Sequence, residues 1–264
     1  MSIISEYKPG TFCWPELVAS EKDKAKEFYL KLFGWEYSDV PVGEDNVYSM
    51  IYLKGKEVGG LYQMWPEQAD HGVPTHWASY VSVSSVDDTV KKAESLGATI
   101  VAGPMDVFDA GRMAAIIDPT GSIFSIWQPM KHIGATIVNE PGTLVWNELA
   151  TNDTDKATKF YTELFGWTSD DMEMRGGMIY TVFMNGERPA AGMMAIGEDM
   201  GDMPPLWSVY FAVDNCDSIV EEARSLDGSV IVAPTDIPEV GRFAFLSDSQ
   251  GAVFAVIKLI KQQD

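Results

Sequence analysis

Two glutamates recur in the same local setting. Glu16 and Glu148 each stand two residues after a tryptophan in a short apolar run, Phe12-Cys13-Trp14-Pro15-Glu16-Leu17 and Leu144-Val145-Trp146-Asn147-Glu148-Leu149. If these runs are strands, alternation puts Trp14 with Glu16 on one face, and Trp146 with Glu148. A carboxylate beside an indole in an apolar cleft has a raised pKa and can serve as a general base. The indole face attracts planar rings and cations. Arg112 and Arg242 each end an Asp-x4-Gly-Arg pattern that starts at Asp106 and Asp236. They are available either as partners for the two glutamates or as ion pairs with their own aspartates.

Other chemistry has little to stand on. The sequence contains no phosphate loop, serine nucleophile elbow, Cys-x-x-Cys or His-Glu-x-x-His. Of three histidines, His76 borders a strand-like run, while His71 and His132 fall in loop-like stretches. The two cysteines, Cys13 and Cys216, occupy non-equivalent places and read as buried thiols, not as a disulfide or a metal site.

The recurrence extends along the chain. Sliding the sequence by 132 residues lays Pro9-Gly10-Thr11 on Pro141-Gly142-Thr143, Phe28-Tyr29 on Phe160-Tyr161, and Leu32-Phe33-Gly34-Trp35 on Leu164-Phe165-Gly166-Trp167; 15 of the 27 positions from Pro9 to Trp35 are identical. Tyr48 meets Tyr180 and Gly60 meets Gly192. Beyond a two-residue deletion the offset becomes 130, with Trp77 on Trp207, Tyr80 on Tyr210, Gly111-Arg112 on Gly241-Arg242 and Asp118 on Asp248. This is a duplication. Residues 1–129 form the first module, 130–140 a short, half-apolar linker and 141–264 the second. A linker of that composition implies modules packed on each other.

Within a module the pattern predicts a strand at 11–19 and a helix capped by Ser20 (Asn152 in the second copy) with Ala25, Phe28, Tyr29, Leu32 and Phe33 inward and Gly34 as its stop. Strands follow at 35–40, 48–53 and 57–64. The order then repeats: a strand at 76–84, a helix from Ser85 to Leu96, and strands at 99–102, 112–118 and 122–127, the last two joined by the turn Asp118-Pro119-Thr120-Gly121. The fold class is therefore α+β: two tandem modules, each of paired β-α-β-β-β units forming a curved sheet around a cleft.

The net charge of −20 disfavours nucleic acid and anionic membrane surfaces. The N-terminus has no signal-peptide pattern, and no apolar run is long enough to span a bilayer. A cytoplasmic monomer or homodimer is expected, with export lacking a signal left open.

A strand, a helix carrying Phe-Tyr followed by Phe-Gly-Trp, three strands and a closing Asp-Pro-x-Gly hairpin resemble the vicinal oxygen chelate (glyoxalase/bleomycin-resistance/dioxygenase) superfamily. The likeness covers residues 9–128 and 141–258, although Ser249 replaces the proline of the second hairpin. Residues 131–136 and 234–243 resemble the tandem actinobacterial type, described as glyoxalase-like or hydroxylase-like. The resemblance implies a divalent metal held by His, Glu or Gln on four strands. The corresponding positions here hold Trp14 and Trp146, Gly60 and Gly192, Ala78 and Ser208, and Ser125 and Ala255; a register slip of two brings in only Glu16, Glu148 and His76. No metal or other cofactor is therefore expected, a divalent metal being the disfavoured alternative. The expected lining of the clefts is Trp14, Glu16, Tyr80, Ser125 and Trp127 in the first copy and Trp146, Glu148, Ser208 and Tyr210 in the second, with Glu16 and Glu148 the candidate catalytic groups. The first expectation is a binding protein for a small aromatic or cationic molecule. The alternatives are a glyoxalase-like lyase or hydroxylase-like oxygenase, and a non-catalytic structural or regulatory protein.

Overall fold

The computed structural model describes residues 3–43, 46–174 and 176–260, apart from the side chain of Asp199. The first repeat contains β1 (Phe12–Ala19), α1 (Lys22–Phe33), β2 (Glu36–Val42), β3 (Asn46–Leu53), β4 (Lys56–Gln63), α2 (Pro66–Asp70), β5 (His76–Ser82), α3 (Val86–Ser95), β6 (Thr99–Val107), β7 (Gly111–Ile117) and β8 (Ile123–Pro129). The second contains β9 (Leu144–Thr151), α4 (Thr154–Phe165), β10 (Thr168–Glu173), β11 (Ile179–Asn185), β12 (Arg188–Ala195), β13 (Leu206–Ala212), α5 (Cys216–Ser225), β14 (Ser229–Ile237), β15 (Gly241–Ser247) and β16 (Val253–Leu259). Each repeat forms one mixed eight-stranded sheet, ordered β2-β3-β4-β1-β5-β8-β7-β6 and β10-β11-β12-β9-β13-β16-β15-β14. The two β-α-β-β-β units of a repeat join through antiparallel β1–β5 and β9–β13 pairs.

Several local expectations shift. Ser20 does not cap α1: Glu21 holds that place without a side-chain bond, while the Ser20 hydroxyl donates to Gln250 Oε1 of the other repeat at 2.7 Å. In α4 the cap is Asp153, one residue beyond Asn152, accepting from the Lys156 amide at 3.0 Å. Gly34 and Gly166 end their helices with φ of 71°, a conformation that costs a side-chain-bearing residue steric strain. Strand β6 runs on past 102 to Val107, because two bulges absorb the Gly103-Pro104 interruption that broke the alternation. The short helix α2 lies between β4 and β5, where the sequence pattern predicts no element.

The cores do not respect the repeat boundary. One cluster joins α1 (Ala25, Phe28, Tyr29, Leu32), the first half of its sheet (Leu17, Ile51, Leu61) and Trp77 of β5 to the second half of the other sheet and α5 (Val209, Phe211, Phe254, Val220, Ala223). Its counterpart joins α3 and β5–β8 to α4 and β9–β12. The helices thus lie between the repeats, and each repeat buries the other's helical face.

Hydrogen bonds pin this exchange. Trp77 Nε1 donates to Tyr29 Oη (2.9 Å), which donates to Asp248 Oδ2 (3.1 Å) in the closing hairpin of the other repeat. Symmetrically, Trp207 Nε1 donates to Tyr161 Oη (2.8 Å), which donates to Asp118 Oδ2 (2.7 Å). Both aspartates also accept amide protons from their own turns, such as Ser122 N and Ala252 N. Tyr161→Phe would leave a buried carboxylate oxygen and an indole N–H without partners, at an expected cost of about 1–3 kcal/mol. Urea unfolding followed by circular dichroism and by tryptophan fluorescence should show one coincident transition shifted by that amount; separate transitions for the two probes would contradict the shared core.

Candidate functional site

The faces of the sheets turned away from the helices carry the chemistry-bearing residues. In register, Trp14 pairs with Tyr80 and Glu16 with Ala78 across β1 and β5, Glu16 with Gly60 across β1 and β4, and Tyr80 with Ser125 across β5 and β8. Glu16 therefore lies near the middle of the sheet, only 8% exposed. Two phenols hold it. Tyr48 Oη donates to Glu16 Oε2 at 2.7 Å, and Tyr80 Oη donates to Glu16 Oε1 at 2.8 Å. Trp14 Nε1 in turn donates to Tyr48 Oη at 2.9 Å, and the Ser125 hydroxyl bonds to Tyr80. The second repeat copies the chain: Trp146 Nε1 to Tyr180 Oη (3.0 Å), Tyr180 to Glu148 Oε2 (2.8 Å) and Tyr210 to Glu148 Oε1 (2.7 Å).

Gly60 and Gly192 make these networks possible. A Cβ on Gly60 would stand 1.8 Å from Tyr48 Oη, and one on Gly192 equally close to Tyr180 Oη. The strand position from which the resemblance implies a metal ligand is thus the space through which a phenol reaches the glutamate.

Burial raises the pKa of Glu16 and Glu148, and the phenol hydrogen bonds only partly offset it. The same burial, reinforced by the neighbouring carboxylate, holds Tyr48, Tyr80 and Tyr210 well above the ordinary tyrosine range, so they remain protonated donors.

A cavity of about 340 Å³ opens over the first network. Trp14, Glu16, Tyr80 and Trp127 line it; Ser125 is buried and does not. Tyr48, Tyr62, Trp65 and Phe108 also line it, with Met50, Met113 and four valines. His132 completes the wall from the linker. Its ring meets Trp14 edge-on at 4.6 Å, and its carbonyl accepts Trp127 Nε1 at 2.8 Å. Desolvation lowers its pKa, opposed by Glu57, whose Oε2 lies 3.6 Å from Nε2. The linker is built in: the Ala135 amide donates to Cys13 O, and that of Thr136 to Glu57 O.

Sequence reasoning missed the roles of Tyr48, Tyr180 and His132. The paired recurrence of Tyr48/Tyr180 with Gly60/Gly192 was the available signal for the tyrosines. The arginines do not meet the glutamates: Arg112 binds Asp87 and Asp106, and Arg242 binds Asp217 and Asp236, each through three hydrogen bonds of 2.7–3.0 Å. The aspartate-pair alternative describes them, extended by an acidic residue at each helix start. His76 bonds Pro74 O and His71 bonds Glu67 O; neither lines the cavity. In the second repeat, Ser208 is buried opposite Glu148. A larger groove of about 780 Å³ lies between the N-terminal segment (Ile4, Tyr7, Phe12) and the start of β9 (Leu144, Val145, Trp146), and its lining includes none of Glu148, Tyr180 and Tyr210.

Two curved sheets with this topology and a residue network centred on each define a glyoxalase-type fold, and the comparisons agree. The sequence model of the Glyoxalase/Bleomycin resistance protein/Dioxygenase superfamily matches residues 12–126 and 143–256, and the chain belongs to that superfamily. A Mycobacterium tuberculosis protein named "Putative glyoxylase CFP32" is 45% identical over 260 residues, covering 98% of each chain. Anthracycline biosynthesis protein DnrV of Streptomyces peucetius is 32% identical over 266 residues, covering 97% of this chain and 96% of its own. Among solved structures, the Mn(II)-bound glyoxalase from Novosphingobium aromaticivorans superposes with a TM-score of 0.66 at 14% identity, over 97% of this chain and 84% of that one. That last likeness is one of fold.

The raised glutamate pKa values set a pH dependence. A carboxyl whose folded pKa lies above its unfolded one binds more protons in the native state. Its contribution to stability is therefore greatest below the ordinary value of 4.5 and declines as pH rises through the raised value. Glu16→Gln combined with Glu148→Gln should flatten that decline in a urea-unfolding series taken from pH 4.5 upward. An unchanged slope would mean that the two carboxyls titrate normally.

Proposed function

We propose that the first cleft binds a flat, oxygen-bearing aromatic molecule, stacked among the rings and hydrogen-bonded to Glu16, and that it does so without a catalytic metal. The observation that carries this reading is the cavity itself. At about 340 Å³ it falls in the lower part of the ~300–1,000 Å³ range of small-molecule sites. Its walls are aromatic and aliphatic, and its main polar anchor is a carboxylate fixed by two phenols. Aromatic walls and a fixed anchor are what a planar ligand with a hydroxyl group requires. The naming of one relative for anthracycline biosynthesis points toward the same ligand class.

The residues present do not fit the metal that the family resemblance implies. Among the described residues no three His, Cys, Asp or Glu side chains gather as a ligand set. Both oxygens of Glu16 already accept phenol protons, and the flanking tyrosines are held protonated, a state in which they are poor ligands for manganese or iron.

A second reading, favoured by the glyoxylase naming of the closer relatives and by the raised pKa of Glu16, is proton transfer. A carboxylate poised above its ordinary range and facing the cavity can accept a proton from a bound molecule and return it.

The test is titration with alizarin, a hydroxylated anthraquinone, followed by quenching of tryptophan fluorescence. Saturable quenching is expected. Trp14→Ala should weaken binding about tenfold or more, equivalent to ~1.4 kcal/mol, and Glu16→Gln by a smaller factor. Absence of saturable quenching, or quenching indifferent to both substitutions, would contradict the proposal.

A further inference from the structure

We infer that the two clefts have parted in role: only the first receives the flat ligand, and the side chain at position 115, matched by 245, decides it. This rests on the binding role proposed above and says which half of the chain performs it.

Both repeats keep the Trp–Tyr–Glu–Tyr chain with nearly the same distances. What differs is the neighbouring wall. In the first repeat, β7 presents Met113 and Ala115, and Ala115 pairs with Ser125 beside Tyr80. In the second, β15 presents Phe243 and Phe245, and Phe245 pairs with Ala255 beside Tyr210. The Phe245 ring meets Tyr210 edge-on at 5.4 Å, and Phe243 stands perpendicular to Phe245 at 6.1 Å. Together with Trp146 and Ile257 they pack in one cluster with Tyr210. A phenyl group thus lies beside the phenol that holds Glu148, where the first repeat has a methyl group.

Two of the rings that wall the first cleft are missing from the second. Trp127, edge-on to Tyr80 at 6.4 Å, is matched by Ile257, and Tyr62 by Met194. The cavities follow these differences. In the first repeat one cavity touches Trp14, Glu16, Tyr48 and Tyr80 together. In the second the groove reaches Trp146 but is not lined by the glutamate or either tyrosine. On this reading the second network is a scaffold against which Phe243 and Phe245 pack in place of a ligand.

Reciprocal substitution tests this. Calorimetric titration with alizarin should give one molecule bound per native chain. Ala115→Phe should remove that site, and the smaller Ala115→Leu should weaken it at least tenfold. Both variants must melt with the native circular dichroism spectrum, and Ala115→Leu carries the test if the phenylalanine misfolds. Phe245→Ala should leave the first site's affinity unchanged and add a second, weaker site. Two equivalent sites in the native chain, or undiminished binding by a folded position-115 variant, would overturn the assignment while leaving the binding role intact. No binding by the native chain would overturn both.

Discussion

A carboxylate placed in an apolar cleft must find hydrogen-bond donors or lose its charge, because desolvation otherwise costs several kcal/mol. That constraint organises the concave side of each sheet. Glu16 takes its donors from β3 and β5, and the β3 donor can reach it only over a strand position with no side chain, Gly60. Trp14 then orients the bridging tyrosine. Four residues and one glycine are thereby interdependent, and the same set recurs intact around Glu148.

The convex side obeys a related rule with a different outcome. There too an indole donates to a tyrosine that donates to a carboxylate, but the aspartate belongs to the closing hairpin of the other repeat. Buried, charge-assisted relays of this kind tie α1 to the second sheet and α4 to the first, within cores that neither repeat completes alone. The helices occupy the space between the repeats, which leaves the concave faces free to become clefts. The first concave face opens into the cavity beside Glu16, and the second carries Phe243 and Phe245 beside Tyr210.

How much of this could be read from the sequence depended on the range of the interaction. Strand alternation placed Trp14, Glu16, Tyr80 and Trp127 on one face, because that periodicity is local. The duplication itself was visible as identity. Tyr48 was visible as a recurring residue but not as a partner of Glu16, since the contact depends on how the sheet curves and on the gap at Gly60. His132 sits in the linker, outside the part that the repeats share, so no internal comparison could bring it to the cleft. Ser20 looked like a helix cap, yet Gln250 of the other repeat engages it. The arginines were correctly placed beside their own aspartates only as one of two options, and the second partners, Asp87 and Asp217, come from helix starts 25 residues upstream.

A hydrogen-bonded Trp–Tyr–Glu–Tyr chain lies on the face from which the family resemblance implies metal ligands, and the proposed function takes that face to be metal-free. Elemental analysis of the chelator-treated protein, dialysed against manganese, iron, cobalt, nickel and zinc in turn, tests this directly. The proposed metal-free binding predicts far less than one ion per repeat for every metal, and no change on Glu16→Gln. One ion per repeat, lost on Glu16→Gln, would show that the glutamate is a ligand and that the phenols give way to a metal.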